Sequence, residues 1–149
     1  MLRISLVLVI ALAGCAREEE SIDRAAQKDA PQHSHEAAYG GTLIELGEHA
    51  AQAELVFDEE TGTVTVYLWD SCISKPARSK QIALRVEFGE VLSIDLEPVA
   101  NPLTGETFGD TSKFEARSDR LKGFEPAKGK LGAIEVLGTT FEPTPFELK

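Results

Sequence analysis

The sequence predicts an all-β protein in which about seven to eight short strands form an antiparallel, immunoglobulin-like β-sandwich. Apolar and polar residues alternate over many short stretches, glycine, proline, asparagine and aspartate separate these stretches, and no convincing amphipathic helix is present. Such alternation gives each strand one apolar face, and stacking two sheets buries these faces against each other. A small open barrel is the alternative, because it buries the same faces.

The first residues have the pattern of an export signal. Arg3 precedes an apolar run that is far shorter than the roughly 20 residues needed to span a bilayer. Leu12, Ala13 and Gly14 then lead directly to Cys15. This order resembles the bacterial lipobox, in which the cysteine is joined to a diacylglycerol and the peptide before it is removed. We therefore expect residues 1–14 to be a signal peptide and Cys15 to be lipidated.

Lipid on Cys15 would make the membrane the first partner of this protein. Acyl chains contribute about 0.8 kcal/mol per buried methylene, so two or three chains give a permanent anchor. The residue after Cys15 is Ala16, not the aspartate that favours retention in the inner membrane of some Gram-negative bacteria. We therefore expect the protein outside the cytoplasm, at the periplasmic leaflet of the outer membrane where the cell has one.

Residues 15–38 are predicted to be a flexible acidic linker between the anchor and the folded domain. They are rich in charged side chains and contain almost nothing that a core could bury. A solvated coil of this length has a root-mean-square span of roughly 25–30 Å, so it would hold the domain just off the bilayer. Residues 39–149 then form the β domain.

The strand pattern is clearest in residues 63–69, where Val64, Val66 and Leu68 share one face. Residues 53–57 precede them across a loop that ends in Gly62, which predicts a hairpin. Residues 82–88 form a second predicted hairpin with the strand that follows Gly89 and Glu90, in which Leu92, Ile94 and Leu96 share one face; Gly89 and Glu90 would make a two-residue turn. The other predicted strands are residues 43–46, 113–117, 131–137 and 146–148, with the last at a sheet edge because of Pro143 and Pro145.

The remaining elements complete the predicted domain. Residues 118–123 are expected to form one helical turn. Lipidation of Cys15 would leave Cys72 without a partner, so the core has to depend on aliphatic side chains and a few aromatic rings. Cys72 itself is expected to be a small, partly buried residue, with a reactive thiol or a metal ligand as alternatives. The aromatic rings expected in the core belong to Phe57, Phe88, Phe114 and Trp69.

Charge and motifs exclude several classes of function. The net charge is −10, which argues against binding to nucleic acid phosphates. The sequence contains no His-Glu-x-x-His zinc helix, Gly-x-Ser-x-Gly elbow, phosphate loop or Rossmann glycine pattern. We therefore expect a non-catalytic binding or interaction module with an envelope protein as its partner.

One short cluster has the character of a metal site. His33 and His35 are two residues apart, and both imidazoles can reach one Cu²⁺ or Zn²⁺ ion from a flexible coil, with Glu36 as a third ligand. The alternative hypothesis is therefore a metal-binding accessory protein for copper or zinc handling or efflux. His49, which lies further along the chain, is expected at a turn.

A resemblance to a known group of proteins rests on three motifs between residues 39 and 76. Tyr39-Gly40-Gly41, then Glu54-Leu55-Val56, then Tyr67-Leu68-Trp69-Asp70 resemble a module of small exported bacterial lipoproteins, met in shorter form near the N-terminus of heavy-metal efflux adaptor subunits. In those proteins the three motifs are usually His-Gly-Gly, Glu-Leu-Val and Tyr-Leu-Leu-Asp. Residues 108–114 are similar to a later part of the lipoprotein version.

The resemblance implies an export-side β domain and, more weakly, an association with metal handling. This chain departs from the pattern at Tyr39, where histidine commonly precedes the two glycines. The substitution removes an imidazole from that position and lowers the expectation of a metal site there.

Overall fold

The structure, a computed structural model, describes residues 35–148. The predicted signal peptide, Cys15, His33 and most of the predicted linker lie outside the described residues. Among the residues that are described, no helix is long and apolar enough to cross a membrane.

The strands are β1 (Thr42–Leu46), β2 (Ala51–Asp58), β3 (Thr63–Asp70), β4 (Leu84–Phe88), β5 (Leu92–Pro98), β6 (Lys113–Arg117), β7 (Lys128–Leu131), β8 (Ile134–Val136), β9 (Thr139–Phe141) and β10 (Thr144–Glu147).

The all-β prediction is confirmed, and the strands are antiparallel throughout the pairs of the main sheet. This sheet has eight strands in the order β1-β2-β3-β6-β5-β4-β7-β10, and β8 pairs with β9 as a separate hairpin. β1 and β10 lie next to each other without a hydrogen-bonded ladder between them. One continuous sheet is therefore curled until it is nearly closed, which is also the arrangement of the open-barrel alternative.

The core lies inside this curled sheet and is built from the alternating positions. In β3, Val64, Val66 and Leu68 are buried, as their shared face predicts. Phe88 and Phe114 are also fully buried, and Phe57 packs against Phe88 with ring centroids 5.6 Å apart. Burial of such side chains contributes about 1.5–3 kcal/mol each, which is the main source of stability in a domain without a disulfide.

Both predicted hairpins form, with one difference in loop length. β2 and β3 pair from Ala51 with Asp70 to Asp58 with Thr63, and Gly62 in the connecting loop has a φ of 67°. β4 and β5 pair with Phe88 opposite Leu92, so their loop contains three residues and not the predicted two. The extra loop residue is Val91, and its side chain is 77% exposed.

Three further expectations are corrected. Residues 131–137 do not form one strand, because Gly132 and Ala133 separate β7 from β8. Ile82 does not belong to β4, which begins at Leu84, so its side chain is exposed. Cys72 is exposed on the connection after β3 and is not a partly buried residue. The expected helical turn forms as a short 3₁₀ helix, Asp119–Leu121.

The two ends of the barrel differ in character. At one end lie the long connections, residues 71–83 between β3 and β4, residues 99–112 between β5 and β6, and residues 132–143 with the β8–β9 hairpin. We call this the loop end. At the other end lie residues 59–62, 89–91 and 118–127, and we call this the acidic end, because Glu59, Glu60, Glu90 and Glu125 are exposed there.

Candidate functional site

The residues that enter the domain are held by one buried carboxylate. Glu54 on β2 is fully buried, and its side chain accepts the backbone N–H groups of Ala38 at 3.1 Å, Tyr39 at 2.7 Å and Gly41 at 3.0 Å. A buried carboxylate is costly unless hydrogen bonds replace its water, and three N–H donors do so here. We call this arrangement the Glu54 latch.

The two glycines in this segment are required by the path of the chain. Gly40 has a φ of 73°, a conformation that glycine adopts without steric cost. A Cβ on Gly41 would lie 2.5 Å from the carbonyl oxygen of Leu55, so any side chain would push the segment off β2. The Gly-Gly and Glu-Leu-Val motifs are therefore parts of one structural feature, since the glycines bring the chain close enough for Glu54 to bind its amides.

The Glu54 latch places the Tyr39 ring against the outward-facing aromatic residues of β3. The ring centroids of Tyr39 and Tyr67 are 4.0 Å apart with an angle of 25° between the planes, and Trp69 lies 6.0 Å from Tyr39. Tyr39 is nevertheless 56% exposed. Trp69 was expected in the core, but it belongs to this outer cluster. Its indole Nε1 is buried and has no hydrogen-bond partner among the described residues.

A cation completes the aromatic cluster. The Lys113 Nζ lies 5.7 Å from the centre of the Tyr67 ring and 2.7 Å from a carboxylate oxygen of Glu115. Burial raises the pKa of the Tyr67 hydroxyl, and the positive charge of Lys113 acts in the opposite direction. Tyr67 is therefore a neutral phenol at physiological pH, which can both donate and accept a hydrogen bond.

These side chains line a groove of about 600 Å³ that runs from the aromatic cluster to the β5–β6 connection. We call it the aromatic groove. Its walls combine five apolar or aromatic residues with six polar or charged ones, so the groove is more polar than a typical small-molecule pocket. The lining residues are Tyr39, Tyr67, Pro76, Arg78, Val99, Ala100, Asn101, Thr104, Glu106, Ser112 and Lys113.

The far wall of the groove is fixed by hydrogen bonds. Arg78 donates to Asp110 at 2.8 Å and to the carbonyl oxygen of Thr104, which ties the β3–β4 connection to the β5–β6 connection. Glu106 is buried and accepts from the backbone N–H and the hydroxyl of Ser112. The groove is therefore a preformed surface, and its Glu106 carboxylate is already committed to a structural role.

A second cavity of about 550 Å³ lies at the acidic end, near the start of β1. Gly40 and Gly41 line it together with apolar residues of β2, and Glu59 and Glu125 contribute carboxylates. The described residues that line it include no exposed aromatic ring and no cationic side chain, so they offer fewer specific contacts than the aromatic groove.

The predicted metal ligands are only partly described by the structure. His33 lies outside the described residues, His35 is half-buried and Glu36 is exposed. His49 lies on the turn after β1, as expected, with its Nδ1 3.2 Å from Glu45. Within residues 35–148, no group of three or more histidine, cysteine, aspartate or glutamate side chains could hold a metal ion. The site at His33, His35 and Glu36 therefore stays a prediction.

Sequence reasoning missed most of the aromatic groove. Tyr39 and Tyr67 stand in the quoted motifs, but Arg78 and Lys113 carry no local signal and meet the aromatic rings only through the pairing of distant strands. The sequence offered one clue to this site, which is Glu54: it is a charged residue in a strand whose other residues are mostly apolar.

No protein-family model matches the chain, and neither a curated protein nor a solved structure matches it significantly.

Proposed function

We propose that this protein is a non-catalytic binding module, anchored to the outer membrane by lipid on Cys15, whose envelope partner binds the aromatic groove. The observation that carries the proposal is the exposed Tyr39 ring, stacked on Tyr67 and held in place by the Glu54 latch. Aromatic side chains that are fixed in place provide large contact areas at low entropic cost, and they are enriched where proteins bind each other.

The chemistry of the groove supports binding more than catalysis. Among the described residues its lining contains no histidine or cysteine to act as a base or nucleophile, and its one carboxylate, Glu106, is held by Ser112. Both cations of the groove are paired, Arg78 with Asp110 and Lys113 with Glu115, so the groove offers fixed ion pairs and not a positive surface. A partner that places hydrogen-bonding groups beside an apolar or aromatic residue fits this combination.

The anchor is tested by following acylation in a bacterial host. We expect a labelled fatty acid to be incorporated into the full chain and not into a Cys15→Ser variant, and the mature protein to begin at an acylated Cys15 by mass spectrometry. The Cys15→Ser variant should also leave the membrane fraction. An intact Met1 terminus on protein recovered from the cytosol would contradict the anchor.

The groove is tested by photo-crosslinking in the same host. A photoreactive amino acid at Asn101, inside the groove, should capture a discrete partner, and one at Val91, at the acidic end, should not. Tyr39→Ala should reduce the capture from Asn101 by about fivefold or more, since truncation of a central aromatic contact costs on the order of 1–2 kcal/mol. Tyr39→Phe keeps the stacked ring and is the matched control. Equal capture from both positions would contradict the proposed site.

A further inference from the structure

The loop end of the barrel exposes a group of large apolar side chains. Leu103 is 97% exposed, Ile82 71%, Phe108 67% and Leu137 65%. Single exposed apolar residues are common on protein surfaces and need no explanation. Four of them at one end of a small domain call for a contact with another surface.

The segments that carry these side chains are tied to one another. Ser79 pairs with Thr111, so the strand connection that carries Ile82 lies beside the one that carries Phe108. The connection that carries Ile82 also bonds to the β8–β9 hairpin, because the carbonyl oxygen of Arg78 accepts the N–H of Leu137 at 3.0 Å. The β8–β9 hairpin is therefore attached to the same central segment. The four side chains project from neighbouring segments of one connected surface.

The tip that carries Leu103 has a defined shape. Pro102–Thr104 forms one turn of 3₁₀ helix, the Asn101 side chain accepts the N–H of Leu103 at 3.1 Å, and Gly105 ends the turn with a φ of 71°. No residue of this turn is buried, so the turn adds nothing to the core. A capped turn that presents a fully exposed leucine is a stable projection, well suited to entering another apolar phase.

Two carboxylates at the loop end are engaged within the domain, and Glu142 is exposed there. The carboxylate of Asp110 is paired with Arg78, and that of Glu135 accepts the backbone N–H groups of Lys80 and Gly138. Lys80 is exposed, and its ammonium makes no ion pair within the described residues. An ammonium beside apolar side chains can bind a lipid phosphate while its methylenes lie against the acyl region.

The chain comes from the predicted linker onto the outer face of the sheet beside the loop end, and then runs through Gly40 and Gly41 to the start of β1 at the acidic end. Tyr39, which follows the predicted linker directly, lines the aromatic groove together with Arg78 and Thr104 of the loop end. The opposite end carries four exposed glutamates and a single large exposed apolar residue, Val91. Lipid at the far end of a short linker keeps the bilayer at a high effective concentration, so a few apolar side chains are enough to orient the domain.

We infer that the loop end is a second membrane contact, in which Leu103, Phe108, Ile82 and Leu137 enter the interfacial region of the bilayer that holds the lipid on Cys15. This inference rests on the anchor proposed above. The domain would then lie with the acidic end facing away from the membrane, and the aromatic groove would open along the membrane surface towards a partner in the same bilayer.

The experiment uses the full acylated chain in vesicles of phosphatidylcholine that contain brominated acyl chains, which quench tryptophan at short range. The native Trp69 is replaced by phenylalanine, and a single tryptophan is placed at Leu103 or, in a second variant, at Phe108. The matched control is Val91→Trp in the same background, because Val91 lies at the opposite end and its exposed fraction falls between those of Phe108 and Leu103. All three positions are on the surface, so these substitutions leave the core intact.

We expect quenching at Leu103→Trp and Phe108→Trp to exceed that at Val91→Trp by about threefold or more, because interfacial side chains reach roughly 5–10 Å into the boundary of the bilayer. Equal quenching at all three positions in acylated protein overturns this inference and leaves the anchor in place. Absence of acyl mass from the purified protein overturns the anchor and this inference together. Protection of Leu103 in native envelope fragments, without quenching in pure lipid, assigns the surface to a protein partner and also overturns the inference.

Discussion

The carboxylate of Glu54 accepts the backbone N–H of Tyr39 at 2.7 Å, and this hydrogen bond sets the position of the only aromatic ring in the groove lining that comes from outside the sheet. The entering segment has few other ways to stay on β2, because residues 35–41, the part of it that the structure describes, form no strand. One buried side chain therefore couples the path of the linker to the shape of the proposed binding surface.

Glu54→Gln should destabilise the domain by about 2–3 kcal/mol, since hydrogen bonds to a charged group are worth about 1.5–3 kcal/mol and the amide brings an N–H group towards N–H donors. Urea unfolding followed by circular dichroism measures the change. Glu90→Gln is the matched control, because Glu90 is exposed at the acidic end, and its effect should stay within about 0.5 kcal/mol. A Glu54→Gln protein as stable as the control would contradict the latch.

Tyr39→Ala should have little effect on the free energy of unfolding but a clear effect on Trp69. Loss of an exposed stacked ring costs about 0.5–1.5 kcal/mol, while water gains access to the indole Nε1, which has no partner in the described part of the chain. We expect a red shift of tryptophan emission and faster quenching by acrylamide. Tyr39→Phe should preserve the emission of the native protein; an unchanged spectrum in Tyr39→Ala would show that Tyr39 does not cover Trp69.

Much of the sheet could be predicted because its pattern is local. In β3 each residue alternates between the core and the outer face, and that alternation is visible in the sequence alone. Residues 131–137 look like one strand for the same reason. The break between β7 and β8 falls at Gly132, where a Cβ would lie 3.0 Å from the carbonyl oxygen of Arg85 on the neighbouring strand, and this close approach between distant residues is not visible in the sequence.

The aromatic groove and the loop end could not be predicted because they depend on contacts between distant segments. Ile82 continues the alternation of β4, yet β4 begins only at Leu84, and no local rule indicates that the ladder with β5 stops there. Arg78 similarly acquires its role through Asp110 and Thr104, which are more than 25 residues away. Hydrophobic periodicity describes which face a residue occupies and not which loops meet at a barrel end.

Asp70 gives the loop end a measurable dependence on pH. The pKa of the Asp70 carboxyl lies below the ordinary value of 3.8, mainly because it accepts a hydrogen bond from the Ser74 hydroxyl at 2.6 Å. The backbone N–H of Ser74, which donates at 2.8 Å, lowers this pKa further. The folded state therefore favours the carboxylate, so the stabilisation is complete above pH 3.8 and is lost as the pH falls through the lower folded-state pKa.

We expect carboxyl ¹³C chemical shifts to give a pKa for Asp70 that lies below 3.8 in the native protein and moves upwards in Ser74→Ala, which removes the hydroxyl and keeps the backbone donors. Ser93→Ala, an exposed position on β5, should leave the pKa of Asp70 unchanged. If Ser74→Ala and Ser93→Ala give the same titration curve, the hydroxyl of Ser74 is not the main cause of the shift.

The copper or zinc alternative makes a separate prediction about the linker. Within residues 35–148 no group of donors is assembled for a metal, so tight binding of Cu²⁺ or Zn²⁺ should require His33 and His35. Isothermal titration should then give micromolar or tighter binding that disappears in a His33→Ala/His35→Ala variant. His49→Ala, which alters the exposed imidazole on the turn after β1, should bind as the native chain does. Absence of heat and of histidine NMR shifts in the native chain removes the metal hypothesis.

Gly129 tests how the sheet closes. It lies in β7 opposite Phe88 of β4 and Phe146 of β10, and a Cβ there would lie 2.5 Å from the Phe146 ring and would also meet the carbonyl oxygen of Glu87. We expect Gly129→Ala to destabilise the domain by about 1–3 kcal/mol, the usual cost of overpacking, with the fastest amide exchange in β10. Urea unfolding and hydrogen exchange measure the two effects.

The size of the Gly129 effect can be separated from the general cost of replacing glycine. Gly89 has a φ of 57°, and a methyl group placed there by Gly89→Ala would lie in open space. This change should lower the free energy of unfolding only by the cost of the left-handed conformation, about 1–2 kcal/mol, and leave amide exchange in β10 unchanged. Phe146→Leu removes part of the ring that the new methyl group meets. The double variant Gly129→Ala/Phe146→Leu should therefore be more stable than the sum of the two single changes predicts, by about 0.5 kcal/mol or more. Strict additivity would mean that β10 does not pack on Gly129, and the nearly closed sheet would then lack its last strand.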